Sequence, residues 1–244
     1  MDKKPFKEAV FFGIVICLAV AMTSCKTVNV NAMGSRLLMD TVKSGDASTR
    51  DAVAAANEIG NRVLTEQDGN AVFDLLVFNR APDVNVALLK TMQKANLAYL
   101  CAKLVDYFPK IEDPDTAVEC AATIVKFTSD TDMVLQFVRG IMLENKHAKV
   151  RFRSAKFMME FYKADAEALF IQALQKEKSA STATLMCSAL NEIGTQASLP
   201  ILEEMANDKQ RFYDSDHFGE ASANAETVRA AAVMASENLK RNKM

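Results

Sequence analysis

At 244 residues the chain is long enough for one substantial domain, and 50% hydrophobic residues with only 8 Gly and 5 Pro are the make-up of an ordered helical protein. Its 29 basic against 31 acidic residues, its lack of Trp and its few aromatics supply neither the basic excess nor the stacking side chains that general nucleic-acid binding needs. DNA and RNA are therefore set aside as partners.

The chain opens with a basic stretch, Lys3, Lys4 and Lys7, followed by the apolar run Val10 to Met22. That run is too short for a ~20-residue membrane span but has the length of a signal-peptide core. It ends in Met22-Thr23-Ser24-Cys25, which resembles a bacterial lipoprotein lipobox, with Met22 standing where Leu is commonest. The resemblance implies a signal peptide over residues 1–24 and lipidation of Cys25, which would carry diacylglycerol and an N-linked, palmitate-type acyl chain. The alternative is an uncleaved anchor or an ordinary secretory signal. Two or three acyl chains together hold a protein durably where one does not. The expected location is thus the bacterial cell envelope, at the outer membrane (periplasmic face or surface) ahead of the inner. Residues 25–35 carry no helical apolar stripe and read as a lipidated tether.

From residue 36 on, the pattern is helical. Arg36 to Lys43 offers Leu37, Leu38 and Val42 for burial and is expected to cap the open N-terminal end of the helical array. Asp46, Ala47, Ser48 and Thr49 can start a helix with the stripe Ala52, Val53, Ala56 and Ile59. The next helix, Ala71 to Phe78, contains the nearly continuous apolar run VFDLLVF and is expected to be covered on two sides. Val84 to Pro109 is too long for one average helix, which predicts a break near Ala95-Asn96. Val118 to Asn145 divides at Thr128-Ser129-Asp130, with Thr131 or Ser129 as the cap of its second half. Lys146, His147, Lys149, Arg151 and Arg153 then form the most basic stretch of the chain, read as a solvated helix start.

Thr184 to Asp208 is the clearest helix–turn–helix unit. Met186, Ala189, Leu190 and Ile193 recur at helical spacing, Gly194 is expected to close the helix in the left-handed conformation, and Leu199, Leu202 and Met205 or Ala206 resume the spacing. Pro200 suits the first turn of the second helix, where its missing amide costs nothing, with Thr195 or Ser198 as rival caps. An irregular stretch over about 208–226 precedes a last helix from Thr227, with Val228, Ala232, Ala235 and Leu239 on one face.

A helical pair this short cannot bury its apolar stripes alone and needs neighbours of its own kind. Asn57-Glu58-Ile59-Gly60 repeats Asn191-Glu192-Ile193-Gly194, and taking 50, 85, 119, 153, 184 and 229 as equivalent positions gives steps of 35, 34, 34, 31 and 45. Only the last step is irregular, as an insertion would make it. These spacings predict an all-α chain, an α-solenoid of about six helical pairs over residues 36–244. Thr-Val-Arg-Ala-Ala-Ala at 227–232, the unit Ala189 to Asp208 and the Asp-Pro turn at 113–114 resemble HEAT-like repeats of the phycobilisome-lyase type. The starts near 85 and 119 depart from that pattern in lacking the Arg found at 50, 153 and 229. The resemblance implies a concave partner-binding face and no particular activity. It also implies that Arg153 and Arg229 reach Asp residues in neighbouring turns, as an inter-repeat ladder, with a ligand-binding role for them as the alternative.

Chemistry is sparse. Cys17 leaves with the signal and Cys25 is lipidated, so Cys101, Cys120 and Cys187 remain; all three are expected as buried thiols, with a Cys101–Cys120 disulfide as the alternative. Neither His147 nor His217 lies in a catalytic motif, no Gly-rich phosphate loop is present, and the adjacent Glu203 and Glu204 point in different directions on a helix. No cofactor or metal is expected. Asp214, Asp216, His217 and Glu220 form the one cluster with cation ligands, without the glycine and fixed ligand spacing of calcium loops. Within the same insertion, Phe212, Tyr213, His217 and Phe218 are candidates for a partner-binding edge; otherwise their rings cover the end of the array. The expected function is a lipid-anchored envelope scaffold that binds a protein partner and is not an enzyme. The alternative is an envelope enzyme or chaperone-like accessory that uses the insertion near Asp214 to Glu220.

Overall fold

A computed structural model describes residues 33–44, 47–78, 81–208 and 223–241. Among them the chain is all-α, with twelve α-helices: α1 (Ser35–Lys43), α2 (Thr49–Ile59), α3 (Glu66–Phe78), α4 (Pro82–Lys94), α5 (Cys101–Tyr107), α6 (Pro114–Phe127), α7 (Thr131–Glu144), α8 (Ala148–Phe161), α9 (Lys163–Leu174), α10 (Ala180–Ile193), α11 (Leu199–Asn207) and α12 (Ala225–Arg241). Short 3-10 turns precede α5 and α11 and follow α5. The starts arise from local chemistry. The Ser48 hydroxyl accepts the Asp51 amide, the Asp113 carboxylate accepts the Thr116 amide at 2.7 Å with Pro114 in the first turn, and the Ser179 hydroxyl accepts the Thr182 amide.

Two rows of helices emerge from the packing. α2, α4, α6, α8, α10 and α12 each pack on the next member of that series, while α3, α5, α7, α9 and α11 each pack on the even-numbered helix after them; α1 covers α2 and α3. The even-row helices begin at residues 49, 82, 114, 148, 180 and 225, in steps of 33, 32, 34, 32 and 45. Side-chain bonds carry the same period. Thr91 donates to the Ala56 carbonyl at 2.6 Å, Tyr99 to the Glu66 carbonyl at 3.0 Å, Lys103 to Asn70 at 2.6 Å, Arg139 to Gln172 at 3.0 Å and Lys146 to Glu112 at 2.5 Å, all between residues 33 to 35 apart. The interior is two apolar clusters, one running from Leu38 to Val150 and the other from Val134 to Leu239. They interlock in α7, where Ile141 belongs to the first and Val134, Val138 and Met142 to the second.

Several local expectations are corrected. Gly194 does end α10, but in an extended conformation, φ −68° and ψ 150°. The one non-glycine residue with positive φ among those described is Asn96, at 53°, where the stretch after α4 breaks. What Gly194 provides is close approach, because a Cβ there would stand 2.3 Å from the Leu190 carbonyl oxygen. Gly194→Ala is accordingly expected to lower stability by about 1–3 kcal/mol, as overpacking does; an unchanged urea midpoint would show that the turn yields freely. Asp130, rather than Thr131 or Ser129, caps α7, accepting the amides of Asp132 and Met133. α3 begins at Glu66, five residues before its apolar run, and α12 begins two residues before Thr227.

Burial at the N-terminal end is thinner than the pattern suggested. Leu37 is 54% exposed and Phe78 80% exposed, so α1 buries only Leu38 and Val42, and the apolar run of α3 is covered on one side, through Val72, Leu75 and Leu76. Among the described residues no further helix covers the second face of this end. Cys101, Cys120 and Cys187 are free thiols. Cys120 and Cys187 are buried, and burial pushes both thiols up to about 12; Cys101 is only partly buried, with its sulfur 3.5 Å from the Thr128 hydroxyl.

The turn between α10 and α11 is fastened from outside. One Glu167 oxygen accepts the Thr195 amide at 2.6 Å, the Thr195 hydroxyl at 2.9 Å and the Ser198 hydroxyl at 2.7 Å. Partial burial disfavours the charge, but these three bonds outweigh it and hold the Glu167 carboxyl below its ordinary 4.5. A carboxylate with a depressed folded pKa stabilises the fold above its unfolded pKa and ceases to do so as pH falls through its folded value. The native protein is therefore expected to lose more stability than Glu167→Gln as pH falls below 4.5. Superimposable acid limbs in urea titrations of the two would rule this contribution out.

Candidate functional site

The basic stretch before and within α8 resolves into stitches. Lys146 reaches Glu112 at 2.5 Å, Lys149 pairs with Asp115, and His147 Nε2 lies 3.3 Å from the Ile111 carbonyl oxygen. Arg151 is the deepest of these side chains. Its Nε and one terminal nitrogen meet the two oxygens of Glu177 at 2.8 and 2.5 Å, and its other terminal nitrogen donates to the Asn145 carbonyl at 2.7 Å. The bond to a neighbouring turn that was expected of Arg153 and Arg229 toward Asp residues is not formed by them; Arg151 makes one instead, to a glutamate. Among the described residues, exposed Arg153 makes no ion pair and the buried Arg229 Nε has no hydrogen-bond partner.

Freed of those partners, Arg153 borders an apolar slot of about 300 Å³ between α6 and α8. Val118, Ala121, Ala122, Val125 and Lys126 line it from α6, Val150, Arg153, Ser154 and Phe157 from α8, and Val138 and Ile141 of α7 close its floor. The slot exists because α6 is apolar on two faces. Ala117, Cys120, Ala121 and Ile124 fill the interior, while Val118, Ala122 and Val125, spaced i, i+4, i+7, form a second stripe that faces the slot. On α8, Arg153, Phe157 and Phe161 share one face at i, i+4, i+8. Phe157 packs against Phe161 and Tyr162 with ring centroids at 5.0 and 5.6 Å, so the aromatic wall continues past the slot, and Phe161 is 60% exposed.

The ion pairs at Glu112 and Asp115 put the N-terminal ends of α6 and α8 side by side, so the two helices run in the same direction and the slot lies along them. Among the cations of α6, α7 and α8, Arg139, Lys149 and Arg151 are hydrogen-bonded and Lys156 sits 5.3 Å over the Phe152 ring. Lys126 and Arg153, both exposed and both lining the slot, have no ion-pair or hydrogen-bond partner among the described residues. The sequence signal for the slot is the second stripe of α6, an excess of apolar residues over what one face can bury, which the reading by single stripes passes over.

Cys25 and the insertion residues Phe212, Tyr213, Asp214, Asp216, His217, Phe218 and Glu220 fall outside the described residues. Glu203 is an exposed side chain paired with Lys240. Among the described residues no group of three His, Cys, Asp or Glu could hold a metal ion, and no helix is long and apolar enough to cross a membrane. Comparison with protein-family models, curated proteins and solved structures gives no match.

Proposed function

We propose that the chain is a lipid-anchored scaffold of the bacterial cell envelope, an α-solenoid of about six HEAT-like helical pairs that binds a protein partner through its even-numbered row. The observation that carries this reading is the packing of each even-row helix on the next, with side-chain bonds recurring every 33 to 35 residues. Stacking of this kind makes a quasi-one-dimensional array whose open face suits extended partners. Even-row helices touch all along the series, whereas among the odd row only α1 with α3 and α7 with α9 pack closely. Closer spacing on one row curves the array toward it, so the even row forms the inner, concave side. Attachment rests on the lipobox-like Met22 to Cys25, and the tether, which ends before α1 begins at Ser35 rather than at residue 35, sets the array off the membrane.

Two measurements test this. Cys25→Ser is expected to move the protein from the membrane fraction to the soluble one; a variant that still sediments and resists washing removes the lipid anchor from the reading. Photo-crosslinking residues placed at Lys90 and Ser188, exposed on α4 and α10, are expected to trap one discrete protein, while placement at Val105 and Gln136 on the odd row is not. Equal trapping from both rows, or none from the even row, overturns the proposed binding face.

A further inference from the structure

We propose that copies of this chain stack head to tail, with α12 of one copy packing on α2 of the next as α10 packs on α12 within the chain. The helices alternate between the rows, from α1 on the odd side to α12 on the even side, so the two ends of the array are halves of one repeating contact. Neither end has the fully polar outer face that terminal units of a soluble array carry. Val233 is 41% exposed at the ninth position of α12, the position that Ala122 holds on the face α6 turns toward α8, and Leu37 is 54% exposed on α1.

A second copy is singled out by the contacts that even-row helices make with one another at fixed positions. The second residues of α6 and α8, Asp115 and Lys149, form an ion pair. Between copies the same positions hold Glu226 of α12 and Arg50 of α2, both exposed and both without an ion pair among the described residues. The fifth residue of α10 meets the third of α12, Thr184 to Thr227 at 3.4 Å. Carried to the junction, that contact sets Arg229, whose buried Nε has no hydrogen-bond partner among the described residues, against Asp51 of the next copy. Lys94 donates to Asn61 at equal counts from the starts of α4 and α2, and the same count brings Glu237 opposite the Asn61 amide. Glu58, the remaining acid on that side of α2, is already held by Arg62 and Asn61. α1 covers part of this face but leaves Arg50 exposed and Asp51 half-buried. A contact of one end with the other is heterologous, so copies add in a row unless the rotation closes a ring. This inference rests on the stacked-array reading of the rows, and not on the lipid anchor or the protein partner; its failure would leave a monomer with the same helices.

The chain from residue 25 onward contains every described helix; carrying Cys25→Ser, it is followed by sedimentation velocity over rising concentration at low and high salt. Growth past the dimer is expected, and salt should weaken it by screening the exposed pairs. Arg50→Glu and Glu226→Arg, each a reversal at an exposed position, should each raise the concentration needed for association roughly tenfold. An equal mixture of the two variants sets opposite charges at every junction again and should regain native association, which misfolded chains could not do. A photo-crosslinking residue at the exposed Val233 of the otherwise unaltered chain should join to α2 of a second copy. A monomer at every concentration overturns the proposal, as does a dimer that adds no third copy. So does association that neither reversal weakens, or a mixture of the two variants that stays apart. Trapping of any segment other than α2 from Val233 overturns it whether or not the reversals fold.

Discussion

Arg151→Ala is expected to destabilise the protein by about 3–5 kcal/mol, the range for removing one partner of a buried ion pair. The Glu177 side chain is 1% exposed, and its two oxygens take a forked pair of bonds from Arg151, to which the amides of Lys178 and Ser179 add at 2.9 and 2.8 Å. Truncating Arg151 leaves that carboxylate with two amides in a site that water does not reach, and leaves the Asn145 carbonyl without its 2.7 Å donor. The damage also spreads from one helical pair to the next, because Arg151 joins the α7–α8 turn to the loop that starts α10. Lysine in its place keeps the charge but loses the fork, so Arg151→Lys should fall between alanine and the native residue. Lys163→Ala is the control, since the Lys163–Glu192 pair is exposed on both sides and such pairs contribute at most about 1 kcal/mol. Urea denaturation at neutral pH reads all three; an Arg151→Ala cost no larger than that of Lys163→Ala would mean that the pair is solvated and the stitch idle.

That residue also shows where the sequence stops being informative. Arg151 and Arg153 flank the buried Phe152, and a helix turns about 100° per residue, so neighbours two apart point to different sides. Composition says that a cation is available to reach an adjacent turn. Which one does so depends on the rotation of α8, and that is fixed by contacts far away in the sequence. Helix starts were more legible, because Asp113-Pro114 and Ser48 act locally, and the long last step survives as the 45 residues from the start of α10 to that of α12. Gly194 marked the right residue for the wrong reason: a glycine ending a helix reads as left-handed, but here the chain runs on extended and the constraint is the nearby Leu190 oxygen. Leu37 and Phe78 belong to apolar patterns that a middle helix would bury and an end helix cannot. The α6–α8 slot needed one further quantity, the spacing of two helices, that no stripe contains.

Phe170→Ala is expected to cost a further independent 3–5 kcal/mol, about the usual loss for a fully buried phenylalanine. The ring is 0% exposed on α9, among side chains of the helices that α9 packs on, α7, α8 and α10, and belongs to the C-terminal cluster alone. Phe161→Ala, which removes a ring that is 60% exposed, should change stability by no more than about 0.5 kcal/mol and serves as the surface control. Where the loss is felt matters more than its size. In a stacked array each unit contacts only its neighbours, so the cavity should weaken α8 to α12 while α2 and α4, in the other cluster, keep their stability. Native-state hydrogen exchange separates the two regions, because amides in each report the free energy of the smallest opening that exposes them. Faster exchange confined to the C-terminal helices is the expected result. An equal loss across both clusters would mean that the interlock at Ile141 and Val138 in α7 makes the chain one cooperative unit, and the reading of the fold as a one-dimensional array would have to be given up.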